Sequence, residues 1–106
     1  MRFEFMSAAR IVFGPGSMPE AVAAAAGYGK RLLLVTGIGN AFALRMEENL
    51  RLRDLDVQVY QVAHEPTVDL VERGVQLAHA FDAQVVVAFG GGSAIDTAKA
   101  IAGLAA

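Results

Sequence analysis

Three consecutive glycines, Gly90-Gly91-Gly92, follow the apolar run Gln84–Phe89 and precede Ser93, with Asp96 three residues further on. Glycines so placed let main-chain amides approach a bulky anion, and the first amides of a following helix, with its dipole, favour negative charge. A side chain at 91 or 92 would hold a pyrophosphate away. Ser93 offers a hydroxyl to phosphate, or caps a helix that begins there, and Asp96 has the spacing to complete a capping box with it. A diphosphate-bearing nucleotide is the natural guest of such a cradle; a plain tight turn is the alternative.

The spacing is not that of the familiar phosphate loops. The third glycine of G-x-G-x-x-G would fall on Ile95, and the segment starting at Gly37 fails the same test at Phe42. Nor is there a G-x-x-x-x-G-K-[ST] arrangement. His64 and His79 lack partners at metal-ligand spacing, and neither Glu47-Glu48 nor Asp54 with Asp56 forms an acid–base pair. These read as structural or solvated positions. No residue is assigned to catalysis or to a metal.

The elements that must position the glycines follow a rhythm. Arg31–Thr36 is apolar throughout, as expected of a strand covered on both faces. Val57–Val62 and Gln84–Phe89 read as two more strands, with room for a helix between each pair. Ala41–Arg53 and Val68–Phe81 fill those gaps, the second with Val68, Val71, Val75, Ala78 and Phe81 along one face. Thr67 can cap that helix, and Asp69 suits its first turn. Such alternation predicts parallel strands joined by right-handed crossovers. The glycines then stand at the carboxyl end of a strand, where open α/β sheets bind ligands.

Upstream, Phe3–Phe5 and Arg10–Gly14 read as short strands, either a hairpin or flanks of the parallel sheet. Ser17 caps a short alanine-rich helix with a glycine exit. The expected fold class is α/β: a Rossmann-like parallel sheet with flanking helices and short amino-terminal β-strands, in one domain spanning 1–106.

Composition narrows the classes. A chain of 106 residues, 55% of them hydrophobic, can bury about 60–70% of the surface its unfolded form exposes. No apolar run approaches the ~18 residues a spanning helix needs, and the start is not a secretory signal. A net charge of −2 without a basic cluster argues against nucleic acid or a membrane surface as partner. The absence of cysteine removes disulfides and thiolate metal sites and fits a cytoplasmic protein.

The segment "GGGSAIDTAKAIA" (Gly90–Ala102) resembles the GGGS-x-x-D-x-A-K segment of the iron-dependent, or group III, alcohol dehydrogenases. Three further segments resemble that family in the same order: "ARIVFGPGS" (Ala9–Ser17), "LLLVTG" (Leu32–Gly37) and "EPTVDLVERGVQLA" (Glu65–Ala78). The resemblance implies that Gly91, Gly92 and Ser93 cradle the pyrophosphate of a nicotinamide dinucleotide, with Asp96 toward the nicotinamide side. It implies that Pro66 borders the adenosine ribose, although that proline also simply starts a helix.

NAD-preferring members often carry an aspartate after the Leu32–Thr36 strand, where this chain has Gly37, Ile38, Gly39 and Asn40. Without that carboxylate a 2′-phosphate is not repelled, and the loop amides with Asn40 could bind it, so the expectation leans to NADP over NAD. A glycine turn without influence on the cofactor is the alternative. Arg45 follows on the next helix, with nothing to show that it reaches the phosphate.

In the family a second, mostly helical domain supplies an aspartate and three histidines to a divalent metal, usually Fe2+, and the resemblance implies that this chain does not include that domain. The chain is therefore expected to be an amino-terminal dinucleotide-binding part, itself inactive, of a homo-oligomeric enzyme. The whole enzyme would move hydride between an alcohol and NAD(P), giving an aldehyde or ketone. Maleylacetate reductase and glycerol dehydrogenase stand as possible relatives. The rival reading is a non-catalytic stand-alone nucleotide-binding or regulatory α/β module.

Overall fold

A computed structural model describes residues 2–7, 11–15, 18–38, 41–63, 65–89 and 92–105. Strands β1 (Arg2–Ser7) and β2 (Ile11–Pro15) lead into helix α1 (Met18–Ala26). Then strand and helix alternate: β3 (Arg31–Gly37), α2 (Ala41–Leu52), β4 (Asp56–Val62), α3 (Val68–Phe81), β5 (Val85–Phe89) and α4 (Gly92–Ala105). The strands form one sheet in the order β2-β1-β5-β3-β4. β3 runs parallel to both β4 and β5, while β1 is antiparallel to β2 and to β5. The two amino-terminal strands are thus both a hairpin and an extension of the parallel sheet.

Strand β3 shows why its sequence is apolar without interruption. Leu32 and Leu34 face a core made with Val57, Val85 and Val87 and with Val22, Ala25, Met46 and Leu50 of α1 and α2. Leu33 and Val35 face the opposite core, with Val86 and Ala88 and with Val71, Ala78, Ala94, Ala98 and Ile101 of α3 and α4. Each fully buried leucine contributes about 2 kcal/mol relative to exposure. The helices lie on opposite faces because the chain moves outward from β3 to β4 and then returns across β3 to β5. Right-handed crossovers in opposite directions require opposite faces.

Local contacts fix α3 at both ends. Thr67 adopts extended backbone angles (φ −119°, ψ 163°), and its hydroxyl accepts from the Leu70 amide at 3.1 Å. The helix stops at Asp82, in the left-handed region (φ 56°, ψ 48°), whose carbonyl accepts from Arg31 Nε at 2.8 Å. Gly74 permits close packing in between. A Cβ there would collide with Ile101 Cδ1 and lie 3.1 Å from Tyr60 Cε2.

Candidate functional site

The strand order creates the site. Thr36 at the end of β3 and Phe89 at the end of β5 are register partners. Beyond them the chain departs in opposite senses, from β3 to α2 on one face and from β5 to α4 on the other. This is the point in an open α/β sheet where a crevice opens outside the carboxyl ends of the strands. Gly37 borders it from β3, and Gly92, the first residue of α4, borders it from the β5 side.

Neither glycine is explained by the protein's own packing. A Cβ at Gly37 or Gly92 would meet nothing within 4 Å, and neither residue lies in the left-handed region. Gly74 differs in being enclosed by Ile101 and Tyr60, and Gly29 in lying 2.7 Å, measured from its would-be Cβ, from Gln84 Cβ. Gly37 and Gly92 thus face open space, as does Gly103 near the end of α4. At α4 the first amides lack intrahelical acceptors and the dipole is positive, so an anion fits.

Ser93 behaves otherwise than a capping box requires. The helix opens at Gly92, one residue earlier than expected, so Ser93 lies inside its first turn. Its Oγ donates to Glu65 Oε1 at 3.2 Å, while its carbonyl accepts from the hydroxyl of the buried Thr97 at 2.7 Å. Asp96 is exposed and lies beyond the first turn of α4. The expected pairing of Ser93 with Asp96 is therefore replaced by Ser93 with Glu65.

Pro66, half-buried, follows Glu65 and also walls an apolar depression with Val68, Val71 and Leu104. The sheet brings its segment to the crevice: Gly37 is the register partner of Val62, the last residue of β4. Asn40 and Gly91, with Gly39, Gly90, Ser17 and His64, lie outside the described residues.

Glu65 is the functional candidate that spacing missed. It lies 28 residues from Ser93, and only the β4–β3–β5 order brings the two together. The one local signal is its place directly before the Pro66-Thr67 helix start, at the carboxyl edge.

Other polar groups hold the fold. Glu47 pairs with Arg51 at 2.9 Å, and Arg51 donates to the Val57 carbonyl at 2.7 Å. His79 Nε2 lies 3.2 Å from the Ala105 carbonyl, joining the ends of α3 and α4. Arg45 is exposed on α2. Tyr60 donates to the Leu70 carbonyl at 2.6 Å, and burial pushes its hydroxyl above the ordinary value, with Arg73 opposing and Asp69 adding. Among the described residues, no group of three or more His, Cys, Asp or Glu could hold a metal ion. No helix among them is long and apolar enough to cross a membrane.

Comparison with known proteins agrees with this architecture. The family model for iron-containing alcohol dehydrogenases matches residues 8–106. The bifunctional aldehyde-alcohol dehydrogenase AdhE of Escherichia coli (strain K12) is 35% identical over 94 residues, 84% of this chain and 10% of AdhE. NADH-dependent butanol dehydrogenase A of Clostridium acetobutylicum is 29% identical over 111 residues, 96% of this chain and 28% of that enzyme. A crystal structure of a mutant of ADH/D1, an archaeal halo-thermophilic Red Sea brine pool alcohol dehydrogenase, superposes with a TM-score of 0.79 at 30% identity. That superposition covers 87% of this chain and 24% of ADH/D1. The chain thus spans about a tenth to a quarter of the length of these relatives. With a matching family model over nearly its whole length and a Rossmann-like sheet shared with a solved alcohol dehydrogenase, the chain belongs to the iron-containing alcohol dehydrogenase family.

Proposed function

We propose that this chain, as one domain over 1–106, forms the nicotinamide-dinucleotide-binding part of a metal-dependent alcohol dehydrogenase or aldehyde reductase. One observation carries the reading: two glycines border the crevice where strand order reverses, and a Cβ at either would meet nothing. In this reading the amides at Gly91 and Gly92 hold the pyrophosphate, and the Ser93 hydroxyl, which donates to Glu65 here, turns to join them when the dinucleotide binds. Gly37, Asn40 and Pro66 border the adenosine ribose, and Asp96 lies toward the nicotinamide. The bound nicotinamide supplies hydride exchange with an alcohol or aldehyde.

The described residues of this chain do not fit an iron site, since they bring no three suitable ligands together. No step is assigned to a metal here, and the chain alone is proposed to bind dinucleotide without turning over alcohol. A homo-oligomeric assembly in the cytoplasm belongs to the same reading.

The lean toward NADP finds no support among the relatives. Butanol dehydrogenase A is named as NADH-dependent. NAD is accordingly the proposed cofactor. Fluorescence titration with NADH and NADPH, each against wild type and Gly92→Asp, tests the cradle. Binding lost in the variant is the expected result. Binding that survives an aspartate at 92 contradicts it, because a carboxylate cannot share that space with a pyrophosphate.

A further inference from the structure

Strand β4 ends the sheet on one side, and among the described residues no strand pairs with its outer edge. The register shows which groups that edge presents. The Asp56 amide donates to the Lys30 carbonyl at 2.8 Å, so Asp56 turns its backbone toward β3. Successive residues of a strand alternate, and Val57, Val59 and Gln61 therefore turn their amides and carbonyls outward. The segment Val57–Val62, VQVYQV, carries no charge, no proline and no glycine. Six such residues of high β-propensity on an open edge form a template for pairing with an identical segment.

One side chain stands on that edge. Arg51, in the last turn of α2, donates from Nη2 to the Val57 carbonyl at 2.7 Å. Its Nε donates to Glu47 Oε2 at 3.0 Å, one turn earlier on the same helix. The pair with Glu47 would hold Arg51 along α2 without any contact to β4, since neighbours four apart meet on the helix surface. The reach to Val57 is an additional feature. It fills an acceptor that an incoming strand would need, with a charge-assisted hydrogen bond that the strand would have to break. Gln58 adds a weaker cover, its Nε2 lying 3.5 Å from the Val59 carbonyl. Glu47, Arg51, Gln58 and Gln61 line one groove along this edge, so charge and amide groups meet whatever enters it.

We infer that Arg51, held by Glu47, closes the outer edge of β4 against pairing with β4 of a second copy of this chain. A second copy is the partner that fits, because identical uncharged segments stack their side chains in register. The inference is independent of the nucleotide reading.

The test is self-association of the complete protein, followed by sedimentation over roughly 10–500 µM, where exposed strand edges drive aggregation. Arg51→Met keeps an apolar stem and removes the fork. It is expected at least to double the average mass relative to wild type, with growth of an intermolecular β-sheet infrared band. Arg51→Lys, which keeps a charge and a donor at the edge, should behave as wild type. So should Arg51→Met combined with Gln61→Lys, because a lysine at that exposed position returns charge to the edge. Melting curves separate edge pairing from unfolding. Should Arg51→Met melt early, Glu47→Gln, which leaves Arg51 present but unheld, carries the same comparison.

A mass equal to that of wild type throughout the range overturns the role of Arg51. Association that Gln61→Lys fails to suppress overturns β4 as the pairing surface.

Discussion

Thr36 and Phe89 sit side by side at the carboxyl ends of two parallel strands, and the chain leaves them toward opposite faces of the sheet. That divergence is what opens the crevice. Its borders carry Gly37 and Gly92, whose missing side chains would have met only empty space. Glycines of another kind hold the layers together, and substitution separates the two kinds.

Gly74→Ala tests the packing kind. In a helix interior, alanine is intrinsically better than glycine by about 1 kcal/mol. Here the new methyl would collide with Ile101, which is wholly buried. Overpacking costs about 1–3 kcal/mol, so the balance is a loss of up to about 2 kcal/mol. Gly92→Ala should change stability by less than about 0.5 kcal/mol. Denaturant unfolding of both variants checks the contrast; equal losses would contradict it.

Thr67→Ala removes the hydroxyl that accepts from the Leu70 amide. A loss of about 1 kcal/mol is expected, with most of it recovered in Thr67→Ser. A Thr67→Ala variant as stable as wild type would mean that the Leu70 amide finds water equally well.

Tyr60 gives an alkaline signature. Its folded hydroxyl titrates above the ordinary value of 10.0, chiefly through burial. The unfolded chain thus loses this proton first, so stability present below pH 10 is lost as pH rises through the raised value. Tyr60→Phe should cost about 1 kcal/mol at neutral pH through the lost bond to Leu70, and should flatten the alkaline decline. Parallel stability curves for wild type and variant would sink the assignment.

Much of this architecture is legible in the sequence, and the parts that are not share a cause. Helix α3 runs over Val68–Phe81 as its periodicity and the Pro66-Thr67 start predict, because cap and apolar face agree. Strand β3 announces burial on both faces through an unbroken apolar run. Strand order is a different matter. Nothing local says that β5 lies between β1 and β3, and that order alone brings Glu65 to Ser93.

The same limit explains two readings that changed. The Ser93-to-Asp96 spacing fits a capping box equally well inside a helix that starts one residue earlier, where the serine hydroxyl turns to a partner 28 residues away. The lean to NADP weighed only the residue after β3, and the relatives' names lend it no support.

A crystal structure of the complete protein with NADH tests the central claim most directly. The account predicts pyrophosphate oxygens within about 3 Å of the amides at the start of α4, Gly92 and Ser93, in the crevice beyond β3 and β5. NADH seated away from the start of α4, with Gly37 and Gly92 facing only solvent, would contradict it.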